Sequence, residues 1–137
     1  MKTAKEIQSD IITLLRGSTL AKAVSGGIYR NGYRPLNSQA EDITVGFVTG
    51  LTGEIEEGIV VINVYVADID AFGNGTMVEN GERTAEIERL AGDWVKALTA
   101  SRSNYLFKLS QTIYTEAERE VRQHFVSIRL NYRLYNK

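Results

Sequence analysis

The chain contains no cysteine, and it has only one histidine and one proline in 137 residues. The lack of cysteine excludes disulfide bonds and thiolate metal sites, so packing and hydrogen bonding must stabilise the fold. With His124 as the only histidine, a metal site built on a histidine pair is excluded too. Long apolar runs are also missing. The N-terminal residues mix charged with apolar side chains, so we expect neither a signal peptide nor a membrane span.

The charge is small in total but unevenly distributed along the chain. The net charge is −1, and hydrophobic and charged residues make up 43% and 24% of the chain, as is typical of a globular protein. Residues 1–40 contain six Lys/Arg and two Asp/Glu, residues 41–90 contain two and eleven, and residues 119–137 contain five and one. Either these segments neutralise each other on folding, or they form a dipolar subunit that favours head-to-tail association.

Two amphipathic helices are predicted. Thr3 and Glu6 have the spacing of a capping box, and apolar residues then recur at helical spacing, which predicts a helix over 4–16 ending at Gly17. A second stripe predicts a helix over 82–99 that buries Ile87, Leu90, Ala91, Trp94 and Leu98. Trp94 is expected to be a core residue.

Alternating apolar residues predict the strands. A short strand is expected at 28–30, a strand at 42–51 and a central strand at 59–66, with a hairpin from Tyr105 to the C-terminus that breaks at 116–118. The inward residues of the second strand would be Ile43, Val45, Phe47, Thr49 and Leu51, and those of the last strand Val126, Ile128, Leu130, Tyr132 and Leu134. The predicted fold is a single α+β domain over residues 1–137. Its two helices pack on a mostly antiparallel sheet, in the order α-β-β-β-α-β-β.

The 67–81 segment contains three glycines, the last of them at its end, and reads as a long loop. Asp68, Asp70, Gly73 and Glu79 occupy positions 1, 3, 6 and 12 of the EF-hand calcium pattern. Phe72 at position 5 cannot bind a cation, and a strand rather than a helix precedes the loop. Hence no metal ligands are assigned, and a ligand- or calcium-binding module using the 68–81 loop remains an alternative.

No catalytic or cofactor-binding residues are predicted. His124 lacks an accompanying G-x-S-x-G motif, and Gly73-Asn74-Gly75 is too short for a phosphate-binding loop. An acid–base pair such as Asp68 and Asp70 is the weakest alternative, because nothing near it in the sequence is suited to bind a substrate. The chain is therefore not expected to be an enzyme.

Basic residues recur on the outward side of the last strand. Arg129, Arg133 and Lys137, with Tyr135 nearby, could form a basic and aromatic strip for nucleic acid, or the solvated face of a terminal hairpin. The isoelectric point near 5.9 argues against specific nucleic-acid binding.

In its organisation the sequence resembles the tail-completion or tail-terminator proteins of long-tailed phages and prophages. The resemblance rests on a leading helix, a Gly27-Ile28-Tyr29 strand and a central hairpin entering at Ile43-Thr44-Val45-Gly46-Phe47, followed by a long loop, one helix and a C-terminal hairpin. It covers nearly the whole chain.

The resemblance implies a virion protein made in the bacterial cytoplasm, without catalytic residues. Such proteins form a ring, commonly a hexamer, at the head-proximal end of the tail. The tail tube protein and head-tail connector proteins would be its partners, and DNA would pass through the ring lumen. A head-tail connector or other neck protein is the alternative within phage structure.

Overall fold

The computed structural model describes residues 1–101 and 103–135. Within these residues three α-helices and six strands follow one another as α1 (Ala4–Leu15), α2 (Thr19–Ala23), β1 (Ile28–Arg30), β2 (Ile43–Leu51), β3 (Ile55–Ala67), α3 (Gly81–Ala100), β4 (Tyr105–Leu109), β5 (Tyr114–Glu118) and β6 (Gln123–Tyr135). A 3-10 turn, Arg119–Val121, connects β5 to β6. No helix in the described part of the chain is long and apolar enough to cross a membrane.

Helix α1 begins where the sequence predicts and ends at Leu15, one residue before the predicted end. The Thr3 hydroxyl accepts a hydrogen bond from the Glu6 N–H, and the Glu6 carboxylate accepts one from the Thr3 N–H, which confirms the capping box. The helix is followed by Gly17, whose φ of 75° suits a residue without a side chain. Ile7, Ile11 and Leu15 point into the core.

The six strands form one sheet of order β1-β2-β3-β6-β4, and β5 pairs with β6 beyond the end of β4. Only the β1–β2 pair is parallel among the described strands. The predicted α+β class with a mostly antiparallel sheet is therefore confirmed. Two short elements, α2 and β5, are added to the predicted order.

Strand β5 replaces the break that the sequence predicts at 116–118. Glu116 and Glu118 suggested a polar turn, but they belong to an edge strand that pairs with Phe125 and Gln123 of β6. An edge strand exposed to solvent tolerates such charged residues. The chain reverses later, at the 3-10 turn and Arg122, which has a φ of 53°.

A β-bulge at Val48 overturns the prediction that Thr49 and Leu51 share the inward face of β2. Phe47 pairs with Val60, whereas Thr49 pairs with the next residue of β3, Ile59. One extra residue reverses the alternation of side chains along the strand. Ile43 and Val45 therefore point inward, but Thr49 and Leu51 lie on the opposite face and are exposed.

The three helices pack on one face of the sheet. The β3 residues Val60, Ile62, Val64 and Val66 are buried there, and the predicted inward residues of β6 are buried with them. Helix α3 covers them with its predicted stripe, in which Trp94 is 6% exposed and Leu90 partly buried. The predicted core role of Trp94 and the central position of β3 are confirmed.

Candidate assembly surfaces

The sheet face opposite the helices is only half covered. At the end formed by the β2–β3 hairpin, the side chains of Leu51, Ile55, Leu106 and Tyr135 on this face are exposed, with Leu51 at 73% and Leu106 at 55%. We call this region the open half-face. Leu106 was missed by sequence reasoning, although an apolar residue at the outward position between Tyr105 and Phe107 could have indicated it.

A groove of about 680 Å³ runs along the open half-face. Its sides come from the β2–β3 hairpin, including Leu51 and Ile59, and from β4 and β6, including Leu106 and Lys108. Apolar Leu51, Ile59 and Leu106 therefore share the groove with Lys108 and with the Arg133–Glu57 pair, which lies between Leu51 and Leu106. Such a groove can accept an apolar side chain that has carboxylates beside it.

Two paired glycines line the groove with their backbone, and on the helix-covered side of the sheet they contact Tyr132. Gly50 lies opposite Gly58, and the Tyr132 ring packs against both, so that a Cβ atom on Gly58 would lie 2.6 Å from the ring and 2.3 Å from the Thr49 carbonyl oxygen. Only residues without a side chain fit this approach.

Arginine side chains of the predicted basic strip lie on this face. Arg129 and Arg133 alternate with the buried residues of β6, Arg133 Nε donates to Glu57 Oε1 at 2.7 Å, and Tyr135 is 43% exposed. Lys137, the last member of the strip, lies outside the described residues. With Lys108 on the neighbouring strand, the open half-face carries an excess of basic residues.

The other half of the face is closed by the 31–42 segment. Arg34 stacks over the Tyr65 ring at 3.9 Å from its centroid and donates to Gln123 Oε1 at 2.8 Å and to Asp42 Oδ2 at 2.9 Å. Burial of Asp42 acts to raise its pKa, but hydrogen bonds from Ser38, the Gly27 N–H and Arg34 outweigh it and hold the pKa below the ordinary value. This polar network has a structural role.

A second ion pair fixes the start of α3 to the 31–42 segment. Arg83 donates to both oxygens of Glu41, at 2.7 and 2.8 Å, and to the Ala23 carbonyl oxygen at 2.7 Å. The Arg83 hydrogen bond is the main cause that lowers the pKa of Glu41. Because Arg83 and Glu41 both belong to the acidic 41–90 segment, this pair does not offset the excess charge of that segment.

Charge neutralisation between segments is partial. Among the described residues, the ion pairs Arg34–Asp42 and Arg133–Glu57 join the basic segments to the acidic one. The exposed carboxylates of Asp70, Glu79 and Glu82 form no ion pair with a Lys or Arg of the described residues, although the Arg34–Asp42 pair lies at the same end of the sheet, beside Gln123. Unlike charges therefore remain on different parts of the surface.

The predicted 68–81 loop extends over residues 68–80, since α3 begins at Gly81; we call it the acidic loop. His124 holds both of its ends. His124 Nδ1 donates to Asp68 Oδ1 at 2.7 Å, and His124 Nε2 lies 3.7 Å from Glu79 Oε1, while the Thr84 hydroxyl donates to Glu79 Oε2 at 2.5 Å. The acidic loop is thus anchored to β6 and α3.

The tip of the acidic loop is ordered by its own hydrogen bonds. The Asp70 carboxylate accepts the Asn74 N–H at 3.1 Å and the Gly75 N–H, and Ile69 and Val78 pair across the base. Phe72 projects from this turn and is 71% exposed. The sequence singled out Phe72 only as a residue unable to bind calcium, and not for its exposed ring.

The EF-hand positions have separate partners. Asp68 is bonded to His124, Asp70 to backbone N–H groups, and Glu79 to Thr84. Within the described residues no group of three or more His, Asp or Glu side chains is arranged to hold a metal ion.

A smaller cavity of about 460 Å³ adjoins His124 and Asp68. Arg119 and Arg122 also line it. The His124–Asp68 pair has the geometry of a base held by a carboxylate, but the described lining residues include no hydroxyl or thiol that the base could activate. The pair is best explained as the anchor of the acidic loop.

Replacing His124 by Ala should loosen the acidic loop and leave the rest of the fold in place. Loss of the bond to Asp68 should lower the free energy of local opening by about 1 to 2 kcal/mol. Hydrogen exchange at the Ile69 and Val78 amides should then speed up by roughly 5- to 30-fold. The exposed neighbour Glu120 provides the control. If Glu120→Ala speeds exchange equally, or His124→Ala leaves it unchanged, the anchor role is wrong.

Comparison of the chain with protein-family models and with curated proteins finds no match.

Proposed function

We propose that this protein is a structural subunit of a phage tail, a tail-terminator or tail-completion protein that assembles with copies of itself into a ring. The observation that supports assembly is the open half-face, where exposed Leu51, Ile55, Leu106 and Tyr135 lie beside basic side chains. Ile55 and Tyr135 are direct neighbours, and the Arg133–Glu57 pair lies between Leu51 and Leu106. Exposed apolar side chains grouped with polar ones in this way often mark protein–protein contact sites.

Residual charge segregation supports the same proposal. A closed ring of identical subunits needs an interface in which two different surfaces meet, and unlike charges on separate parts of the subunit supply such surfaces. In the proposed virion the ring, a hexamer by the family resemblance, caps the tail tube and meets the head-tail connector. DNA passes through its lumen without sequence-specific contacts.

The proposal can be tested by the mass of the purified protein. We expect native mass spectrometry and light scattering to find a discrete closed oligomer whose population grows with protein concentration. It should decline when the ionic strength rises from about 0.1 to 1 M, where the Debye length shortens from about 10 to 3 Å. A monomer that also fails to bind isolated tail tubes would contradict the proposal.

The position within the virion needs a separate experiment. Purified protein added to phage tails that lack their terminator should be seen by electron microscopy at the head-proximal end of the tube. Binding to DNA-filled heads instead of tails would assign the protein to the neck and reject the terminator role.

A further inference from the structure

The acidic loop and the groove lie at opposite ends of the same strand. Strand β3 runs for 13 residues from Ile55, beside the groove, to Ala67, where the acidic loop begins. At about 3.3 Å per residue these ends are about 40 Å apart. One molecule therefore cannot place its own loop in its own groove.

We propose that the acidic loop of one copy docks on the open half-face of the next copy, with Phe72 inserted into the groove beside Leu106. The proposal rests on self-assembly, as proposed above, and names the two surfaces that meet. Phe72 and Leu106 are both largely exposed in the single chain, and their contact would remove both from water.

Charge complementarity favours a second copy as the occupant of the groove. The acidic loop contains Asp68, Asp70 and Glu79 and no Lys or Arg. The groove contains Lys108 and the Arg133–Glu57 pair, with Arg129 further along the same face, so that the basic residues exceed the acidic one. Arg119 and Arg122 lie beside the loop, but they alternate with carboxylates of the Glu116–Glu120 region, so this end of the molecule stays acidic. Opposed potentials of this kind direct association and set its register.

The acidic loop is also held in one conformation in the single chain, before any contact with a second copy. The His124 anchor, the Ile69–Val78 pair and the Asp70 turn fix its base and tip. A projecting aromatic side chain on a rigid loop loses little conformational entropy on binding, so more of its contact energy is available for affinity.

The contact is heterologous, because a loop meets a groove and not another loop. A copy that donates its loop keeps its own groove free for a third copy. Repetition of such a contact gives a ring if the rotation between neighbours closes, and a filament if it does not.

Because the natural chain has no cysteine, single cysteines can report this contact. Phe72→Cys and Leu106→Cys are made as separate full-length proteins, mixed, and treated with a short bis-maleimide. We expect the crossed 72–106 product to exceed both same-site products at least tenfold. Lys96→Cys, at an exposed position on α3, replaces Leu106→Cys in the matched control. Thermal unfolding followed by Trp94 fluorescence checks that each variant is folded.

The outcomes separate this inference from the proposed function. A ladder of cross-linked multimers from the protein with both substitutions would support the head-to-tail contact even if no closed ring forms. A closed oligomer whose 72–106 yield is no higher than that of the Lys96 control would place assembly elsewhere and overturn the loop-in-groove contact. Equal yields of the crossed 72–106 product and of the same-site products would also overturn this contact. So would a 72–106 yield no higher than that of the Lys96 control in a protein that stays monomeric.

Discussion

Replacing Asp42 by Asn is expected to lower the free energy of unfolding by about 3 kcal/mol near neutral pH. Asp42 is 2% exposed, and its carboxylate accepts hydrogen bonds from Ser38, the Gly27 N–H and Arg34. Neutralising it leaves the largely buried Arg34 guanidinium without its counter-ion, which is the costly way to break a buried pair. Urea unfolding followed by Trp94 fluorescence measures the loss, which corresponds to a fall in Tm of roughly 10 °C.

The pH dependence of this loss follows from the direction of the pKa shift. Because the pKa of Asp42 is lower in the folded state than the ordinary 3.8, the carboxylate stabilises the fold above that value. This stabilisation disappears as the pH falls through the folded-state pKa. The difference between wild type and Asp42→Asn should be constant from about pH 7 to 5 and shrink below about pH 4.

Glu41 does not affect the difference in stability between the wild type and Asp42→Asn. Its pKa is also lowered, chiefly by the Arg83 hydrogen bond, but it titrates in both proteins and cancels in the difference. Asp93→Asn, on the exposed side of α3, is the control and should change stability by less than about 0.5 kcal/mol. A difference for Asp42→Asn below about 1 kcal/mol, or one that does not shrink in acid, would rule out the proposed ion-pair role.

The elements that local patterns determine were predictable from the sequence. The capping box at Thr3 and Glu6, the apolar stripe around Trp94 and the alternation of β6 each depend on neighbours within a few residues. The predicted boundaries of the two helices agree with the structure to within one residue. The sequence therefore predicted the helix-covered face of the sheet well.

The features that the sequence did not predict depend on pairing between residues that are distant in the chain. The bulge at Val48 exists because Thr49 pairs with Ile59, and β5 exists because Glu116 and Glu118 find partners on β6. Nothing local to these residues encodes the partner. For the same reason the groove could not be predicted, since Leu51 and Leu106 lie far apart in sequence and reach the same sheet face only because β3 and β6 pair between their strands.

The acidic loop was predicted in part: its presence follows from local sequence, but its anchoring does not. Its length and glycines predict a loop, and the spacing of its carboxylates resembles a calcium site, but no sequence pattern indicates that the Phe72 ring is exposed. Only the structure shows that His124, 56 residues away from Asp68, anchors the loop. A lone histidine in a strand gave no sign of that partner.

Replacing Gly58 by Ala should destabilise the protein by about 3 kcal/mol, at the upper end of what overpacking usually costs. The new methyl group would lie 2.3 Å from the Thr49 carbonyl oxygen and 2.6 Å from the Tyr132 ring. The ring can rotate away, but the carbonyl oxygen belongs to the paired strand, so the β2–β3 hairpin must shift. Urea unfolding measured by Trp94 fluorescence gives the change in free energy.

Gly81→Ala is the matched control, because a Cβ atom there meets nothing within 4 Å at the first residue of α3. It should be neutral or stabilise by up to about 1 kcal/mol, since alanine restricts the unfolded chain more than glycine does. Gly58→Ala should also reduce the 72–106 cross-link at concentrations where the variant remains folded, because the hairpin forms one side of the groove. If Gly58→Ala is as stable as wild type, the hairpin is free to adjust, and the glycine pair does not determine the shape of the groove.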